Sequence, residues 1–100
     1  LTNTEKYCAK ILHINKDRRM SWHYHQIKDE TFYVETGIVR LFWSEGDDLQ
    51  NASEIVLRPG DVFHIPVGVR HMLVGVENSR TFEFSTQHFD NDSYRIIKGD

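Results

Sequence analysis

The chain has 100 residues, of which 39% are hydrophobic and 27% are charged, and its formal net charge is −3. A chain of this length fits one compact domain, residues 1–100, and it contains no run of about 18 apolar residues that would cross a membrane. Nucleic-acid binding is not expected, because no basic stripe is present to neutralise phosphates. The single cysteine, Cys8, excludes an internal disulfide, and the start of the chain shows no signal-peptide pattern, so we expect a cytoplasmic protein.

Short runs of β-branched and aromatic residues alternate with polar turns or turns that contain Gly and Pro. We predict strands over residues 7–14, 21–25, 30–35, 38–44, 54–57, 62–65, 71–76, 80–85 and 94–97. No window of about eleven residues carries a helical stripe, and the stretch 47–55 is the best place for a turn of helix. Eight or nine strands at roughly ten-residue spacing indicate an all-β sandwich or barrel, most economically an eight-stranded jelly roll or closed barrel.

The segment Trp22-His23-Tyr24-His25 carries the first candidate metal ligands. Successive side chains of a strand point to opposite faces, so His23 and His25 point the same way. Glu30 opens the next predicted strand after a short polar link, and a turn there would bring its carboxylate beside the two rings. His71 begins a further strand. Three imidazole nitrogens and one carboxylate oxygen suit one divalent transition metal, such as Mn, Fe, Co, Ni, Cu or Zn, with open positions for water or substrate.

These residues and their spacing resemble the two motifs of the cupin superfamily. His23-x-His25-x4-Glu30-x6-Gly37 is similar to the first motif, and Gly60-x5-Pro66-x-Gly68-x2-His71 is similar to the second. The segment between them, 38–59, has the length found in a small cupin. The resemblance implies an all-β, double-stranded β-helix (jelly-roll) barrel that holds a metal inside.

The chain departs from these motifs at two positions. Asp17 stands where the first motif usually opens with Gly, and Gly75 stands where the second usually ends with Asn. We expect the departures to affect local geometry and not the ligands. The ending Asp92-x-x-Arg95 and the run Lys28-Asp29-Glu30-x6-Gly37 are also similar to the cupin domain of type II phosphomannose isomerases, which usually lack the first histidine of the pair.

Five further residues are candidates for the chemistry of the site. His64 and Glu83 are candidates for a general base. Phe32 and Val34 share the parity of Glu30 and would line the cavity beside a substrate. Arg40 is a substrate-binding candidate if its side chain faces inward, which the pattern leaves open.

The remaining aromatic and basic side chains are expected to be structural. His13 and His88 are expected at the surface or an interface, and Arg70 should point out of the pocket, away from His71. Most of the strand aromatics are expected in the core: Tyr7, Phe32, Tyr33, Phe42, Trp43, Phe63, Phe82 and Phe84.

Three functions remain open at this stage. The first is an isomerase or epimerase of a sugar or sugar phosphate, in which the metal is a Lewis acid. The second is a carbohydrate-binding cupin without catalysis, and the third is an iron-dependent dioxygenase. The expected partner is a small-molecule ligand or substrate, with no nucleic acid and no membrane. The strand 7–14 and Trp43 would suit a two-fold homodimer, because a lone barrel exposes edge strands.

Overall fold

The computed structural model describes all 100 residues and contains ten strands and one 3₁₀ turn, Leu49–Asn51. No helical segment has the length and apolar character needed to cross a membrane. Nine strands match the predicted ones to within one residue at each end, and β1 is too short to be recognised from sequence. The strands are β1 (Thr2–Asn3), β2 (Cys8–Ile14), β3 (Trp22–Tyr24), β4 (Glu30–Thr36), β5 (Val39–Ser44), β6 (Ser53–Leu57), β7 (Val62–Ile65), β8 (Arg70–Gly75), β9 (Ser79–Ser85) and β10 (Tyr94–Ile97).

The strands form two antiparallel five-stranded sheets. The first sheet has the order β1-β2-β9-β4-β7, and the second has the order β10-β3-β8-β5-β6. Most neighbouring strands are distant in sequence, as when β9 lies between β2 and β4, while β1–β2 and β5–β6 are consecutive. This two-sheet arrangement is the predicted jelly-roll barrel.

The core lies between the inner faces of the two sheets. In β4, Glu30, Phe32 and Val34 are buried while the residues between them are more exposed, so this side of the strand faces inward. In β9 the buried side includes Glu83. Burying one valine, leucine, isoleucine or phenylalanine side chain stabilises the fold by about 1.5–3 kcal/mol. The buried apolar cluster comprises Ile14, Phe32, Val34, Val39, Leu41, Leu57, Ile65 and Leu73.

Several aromatic side chains lie on the outer face of the first sheet, where the prediction of a core position is wrong. Phe82 and Phe84 alternate in β9 with buried residues, and Phe84 is 48% exposed. Phe82 stacks between Tyr33 and Phe84, with centroid distances of 6.2 and 6.0 Å. Tyr7, just before β2, is 57% exposed. Alternation distinguishes the two faces of a strand without showing which is inner, and β9 turns its polar residues inward.

The other predicted core aromatics are divided between the two sides of the barrel. Phe32 is buried, while Trp43 and Phe63 pack on the core with ring centroids 4.8 Å apart. Phe42 lies on the outer face of the second sheet beneath Arg40, which is 5.0 Å from its centroid. The predicted dimer patch combined strand 7–14 with Trp43. Because Trp43 faces inward, it does not form one surface with the outer face of β2.

The two positions that depart from the cupin motifs contact each other. Asp17 has a φ of 66° and is the one non-glycine residue with a positive φ. Its N–H donates to the carbonyl of Gly75 at 2.9 Å, and the N–H of Gly75 donates to that of Arg18 at 2.9 Å. A Cβ at Gly75 would lie 2.2 Å from the carbonyl oxygen of Asn15. The turn therefore packs so closely on the end of β8 that position 75 requires glycine.

Candidate metal centre

Four side chains converge between the sheets, and they are the four predicted ligands. His23 in β3 is the register partner of His71 in β8, and their ring centroids are 4.3 Å apart. His25 directly follows β3, and Glu30 is the first residue of β4. One nitrogen or oxygen atom from each residue lies within 4.8 Å of all the others. The group has the size and composition to hold one metal ion.

Backbone carbonyls orient all three imidazoles. His23 Nδ1 lies 2.9 Å from the carbonyl oxygen of Ser21, and His71 Nδ1 lies 3.0 Å from that of Val69. His25 Nδ1 lies 2.6 Å from the carbonyl oxygen of Asp92. Because a carbonyl oxygen only accepts hydrogen bonds, each Nδ1 carries the proton, and each Nε2 retains its lone pair. Histidine ligands of metals are held in this way in proteins.

The buried atoms at the centre have no hydrogen-bond partners. Both carboxylate oxygens of Glu30 and Nε2 of His71 are without one, although Nε2 lies 2.6 Å from Glu30 Oε1. His25 Nε2 is 3.7 Å from Glu30 Oε2. Acceptors that face one another in a dry interior are unfavourable unless a cation lies among them. The residues therefore fit a divalent transition metal, as the sequence analysis expected.

The shifted pKa values of these side chains favour the protonation states that bind metals. Burial lowers the pKa of His23 to about 4, and the nearby His71 adds to this effect. Burial also lowers the pKa of His25. Burial by itself raises the pKa of Glu30, but at low pH a hydrogen bond from protonated His71, the charges of His71 and His25, and Lys28 together lower it to about 2. At neutral pH, His23 and His25 are therefore uncharged and Glu30 is ionised, as metal ligation requires.

A buried lysine lies beside the ligands, and the sequence analysis did not recognise it as a site residue. Lys28 is 3% exposed, and its Nζ lies 3.1 Å from Glu83 Oε2 and 3.5 Å from Glu30 Oε2. His88, expected at the surface or an interface, has its Nδ1 3.2 Å from the same Nζ. The run Lys28-Asp29-Glu30 marked this lysine only through the isomerase resemblance. A buried ion pair between Lys28 and Glu83 therefore borders the centre.

Asp92 is a second residue whose role emerges from the structure. Its carboxylate accepts hydrogen bonds from the N–H groups of Gln26, Ile27 and Lys28, at distances of 2.9 to 3.3 Å. Its carbonyl holds His25. The side chain and the backbone of Asp92 thus fix both the loop between β3 and β4 and the ligand at its start.

The remaining candidates lie on both sides of the barrel wall. Phe32 and Val34 are buried beside Glu30, and the Phe32 ring centroid is 5.9 Å from that of His71. Arg40 is on the outer face and pairs with Glu54 at 2.7 Å, so it does not reach the centre. His64 is also outside, where its exposed side chain pairs with Asp29.

Two further residues lie where they were expected from the sequence. Arg70 lies over the ring of Tyr24 outside the second sheet, 3.8 Å from its centroid, as expected for a neighbour of the inward-facing His71. His13 is exposed, as expected for a surface residue.

Comparisons with known proteins agree with this architecture. The family model described as "Cupin domain" matches residues 10–84. No curated protein matches the sequence. The chain is similar in structure to KdgF from Halomonas sp., with a TM-score of 0.77 and 23% identity over 91% of this chain and 77% of the other.

Two longer proteins contain the same fold. For oxalate decarboxylase from Bacillus subtilis the TM-score is 0.77 and the identity 17%, over 92% of this chain and 24% of that one. For a putative sugar phosphate isomerase from Acidithiobacillus ferrooxidans the TM-score is 0.67 and the identity 19%, over 85% of this chain and 52% of that one. The chain thus spans about a quarter and about half of their lengths. These identities show a shared fold, which hosts unrelated reactions.

Proposed function

The chain belongs to the cupin family, and on that premise we propose that it is a metal-dependent protein acting on a small polar substrate. The reaction is an isomerisation or epimerisation of a sugar or sugar phosphate. The proposed metal ligands are His23, His25, Glu30 and His71. The observation that carries the proposal is the convergence, at one point, of Nε2 lone pairs and of Glu30 oxygens that have no hydrogen-bond partner.

The chemistry of such a reaction requires an electrophile and a base. A divalent metal in the centre would supply the electrophile, because it polarises a carbonyl or hydroxyl oxygen and acidifies the adjacent C–H. The protein must supply a base that takes a proton from one carbon and returns it to a neighbouring carbon. Of the two base candidates we assign this role to Glu83, which is buried and held by Lys28, whereas His64 is outside.

The apolar lining of the centre and one protein of similar fold also support this proposal. Phe32 and Val34 place apolar surface beside Glu30, which excludes water and strengthens the electrostatic interactions of the centre. The putative sugar phosphate isomerase has a similar fold over 85% of this chain. Oxalate decarboxylase has it too, so the substrate class has to be tested directly.

The first experiment measures metal content by elemental analysis after purification without a metal-affinity tag. We expect about one ion per chain in the wild type and little in His23→Ala and His71→Ala. His13→Ala, which removes an exposed imidazole, is the matched control and should retain the ion. Equal metal content in all four proteins would refute the metal centre.

The second experiment measures turnover by NMR in D₂O with a panel of aldose and ketose phosphates. We expect deuterium at the carbon next to the carbonyl, and a loss of about 10²–10⁴-fold in rate for Glu83→Gln with its metal retained. A ligand-dependent thermal shift without exchange would indicate a binding protein instead. Substrate-dependent oxygen consumption by the iron form would indicate a dioxygenase.

We further propose that residues 1–100 form one domain and that the protein is a cytoplasmic homodimer. The apolar outer face of the first sheet, described above around Phe82 and Phe84, supports self-association. Cys8 is buried and unpaired, which suits a compartment where thiols stay reduced.

A further inference from the structure

A basic cleft is lined by the end of β2, the turn that follows it, and residues of β10 and the segment after it. Its volume is about 560 Å³, and Arg18, Arg19, Arg95 and Lys98 line it. It is a separate cavity from the buried centre, and the proposed metal-dependent function makes no use of it.

The charge of the cleft is opposite to that of the protein. The chain as a whole carries −3, yet the one acidic residue that lines the cleft is Asp100. Asp100 pairs with Arg19 at 3.6 Å. Arg18, Arg95 and Lys98 have no carboxylate partner, because none of them belongs to an ion pair. Like charges held together without counter-charges attract an anion, and a cleft with low-dielectric walls focuses that attraction.

The inner end of the cleft adjoins a metal ligand. Arg95 in β10 is the register partner of His23 in β3, and the neighbouring pair Tyr94 and Tyr24 stacks at 5.1 Å. Tyr24 points outward beneath Arg70, so His23 and the exposed Arg95 lie on the opposite face of the sheet. Cross-strand partners on one face have their Cβ atoms about 5 Å apart. Ser21, whose carbonyl orients His23, also lines the cleft.

We propose that this cleft binds the oxyanion group, phosphate or carboxylate, of a ligand whose other end reaches the metal centre. Guanidinium groups suit this role, because their planar donors match phosphate and carboxylate oxygens in pairs. The statement that the ligand reaches the metal rests on the proposed function. The anion site itself depends only on the cleft.

The test is a titration of the ¹⁵N-labelled protein with inorganic phosphate, glucuronate and glucose, read by NMR and calorimetry. We expect phosphate or glucuronate to shift amide signals around residues 18–21 and 95–99, and glucose to leave them unchanged. The two anions distinguish phosphate from carboxylate as the preferred group. Arg18→Gln, Arg95→Gln and Lys98→Gln should each weaken binding about tenfold.

The control is Arg58→Gln, which makes the same change of charge at an exposed residue outside the cleft and should bind as the wild type does. An equal loss in Arg58→Gln, or amide shifts outside the cleft alone, would overturn the anion site. His71→Ala separates the two proposals. If it loses metal but binds phosphate, the cleft stands by itself. If it loses both, the anion binds to the metal and the cleft assignment is wrong.

Discussion

Main-chain carbonyls orient all three imidazoles, and the Ser21 hydroxyl also lies 3.0 Å from His23 Nδ1. Ser21 and Val69 each lie two residues before the histidine that they hold, so those two hydrogen bonds are local. His25 differs, because its carbonyl partner belongs to Asp92. A ligand oriented by a carbonyl keeps its tautomer whatever side chain the donor of that carbonyl carries. Substitution of Val69 should therefore affect the centre less than a change in the backbone around Asp92.

The lowered pKa of His23 makes the stability of the metal-free protein depend on pH. His23 titrates near pH 4 when folded and near 6.5 when unfolded, so between these values the unfolded chain binds more protons. The contribution of His23 to the free energy of unfolding is fully present above about pH 6.5 and is lost as the pH drops toward 4. Between pH 7 and pH 5 we expect His23 to contribute a loss of about 2 kcal/mol.

Urea denaturation in the presence of a chelator measures this loss. His23→Gln should reduce the difference between pH 7 and pH 5, while His13→Gln, at an exposed position, should not. The same pH dependence in wild type and His23→Gln would contradict the assignment.

The buried ion pair beside the centre makes a second prediction at this scale. Lys28→Met leaves Glu83 buried without its cation and should lower the free energy of unfolding by about 3–5 kcal/mol. The double variant Lys28→Met/Glu83→Leu removes both charges and should recover most of that loss. Denaturant midpoints of the metal-free proteins measure both effects. A double variant no more stable than Lys28→Met would show that Lys28 acts mainly through Glu30, 3.5 Å away.

At the scale of strands and turns, the close contact between Asp17 and Gly75 can be tested by exchanging residue types. Gly75→Asn brings a Cβ against the carbonyl of Asn15 and should destabilise the protein by about 3 kcal/mol. Asp17→Gly relieves a positive φ and should stabilise it by about 0.5 kcal/mol.

Thermal denaturation gives both values, and Gly46→Asn is the control. At Gly46 an added Cβ meets only Ser44 Oγ at 3.9 Å, so little change is expected. If Gly75→Asn were as stable as Gly46→Asn, the turn would be free to move away from β8.

The positions of the strands are predictable from local sequence patterns. Which face of a strand points into the barrel is not predictable for every strand. The strands follow from alternation and turn residues, and the cluster of four candidate ligands follows from the spacing of His23, His25 and Glu30 and the turn before His71. The inward direction of Glu83 does not follow from any local pattern, because it depends on the pairing of β9 with β2 and β4. The contact between Lys28 and Glu83 joins residues 55 positions apart, which no local pattern reports.

At the scale of the whole molecule, the outer face of the first sheet is the proposed dimer surface. A two-fold interface brings the same patch of both subunits together, so a charge near its centre meets its own copy. Phe84→Glu should therefore dissociate the dimer, raising its Kd at least about 100-fold, while the metal content stays the same.

Light scattering at micromolar concentration measures this change. Ile27→Glu is the control, because Ile27 is 60% exposed in the loop between β3 and β4, outside the strands of that face, and should leave the dimer intact. A monomeric wild type would refute the proposed dimer, and a dimeric Phe84→Glu would place the interface elsewhere.

The bond between His25 and Asp92 has a consequence for the order in which the protein matures. Because the two residues are 67 positions apart, a nascent chain that has emerged only as far as β9 contains all four ligands but not the group that orients one of them. Domains fold as units while the chain is still leaving the ribosome. A metal that binds these four residues would therefore meet a fully oriented His25 only after Asp92 has been made.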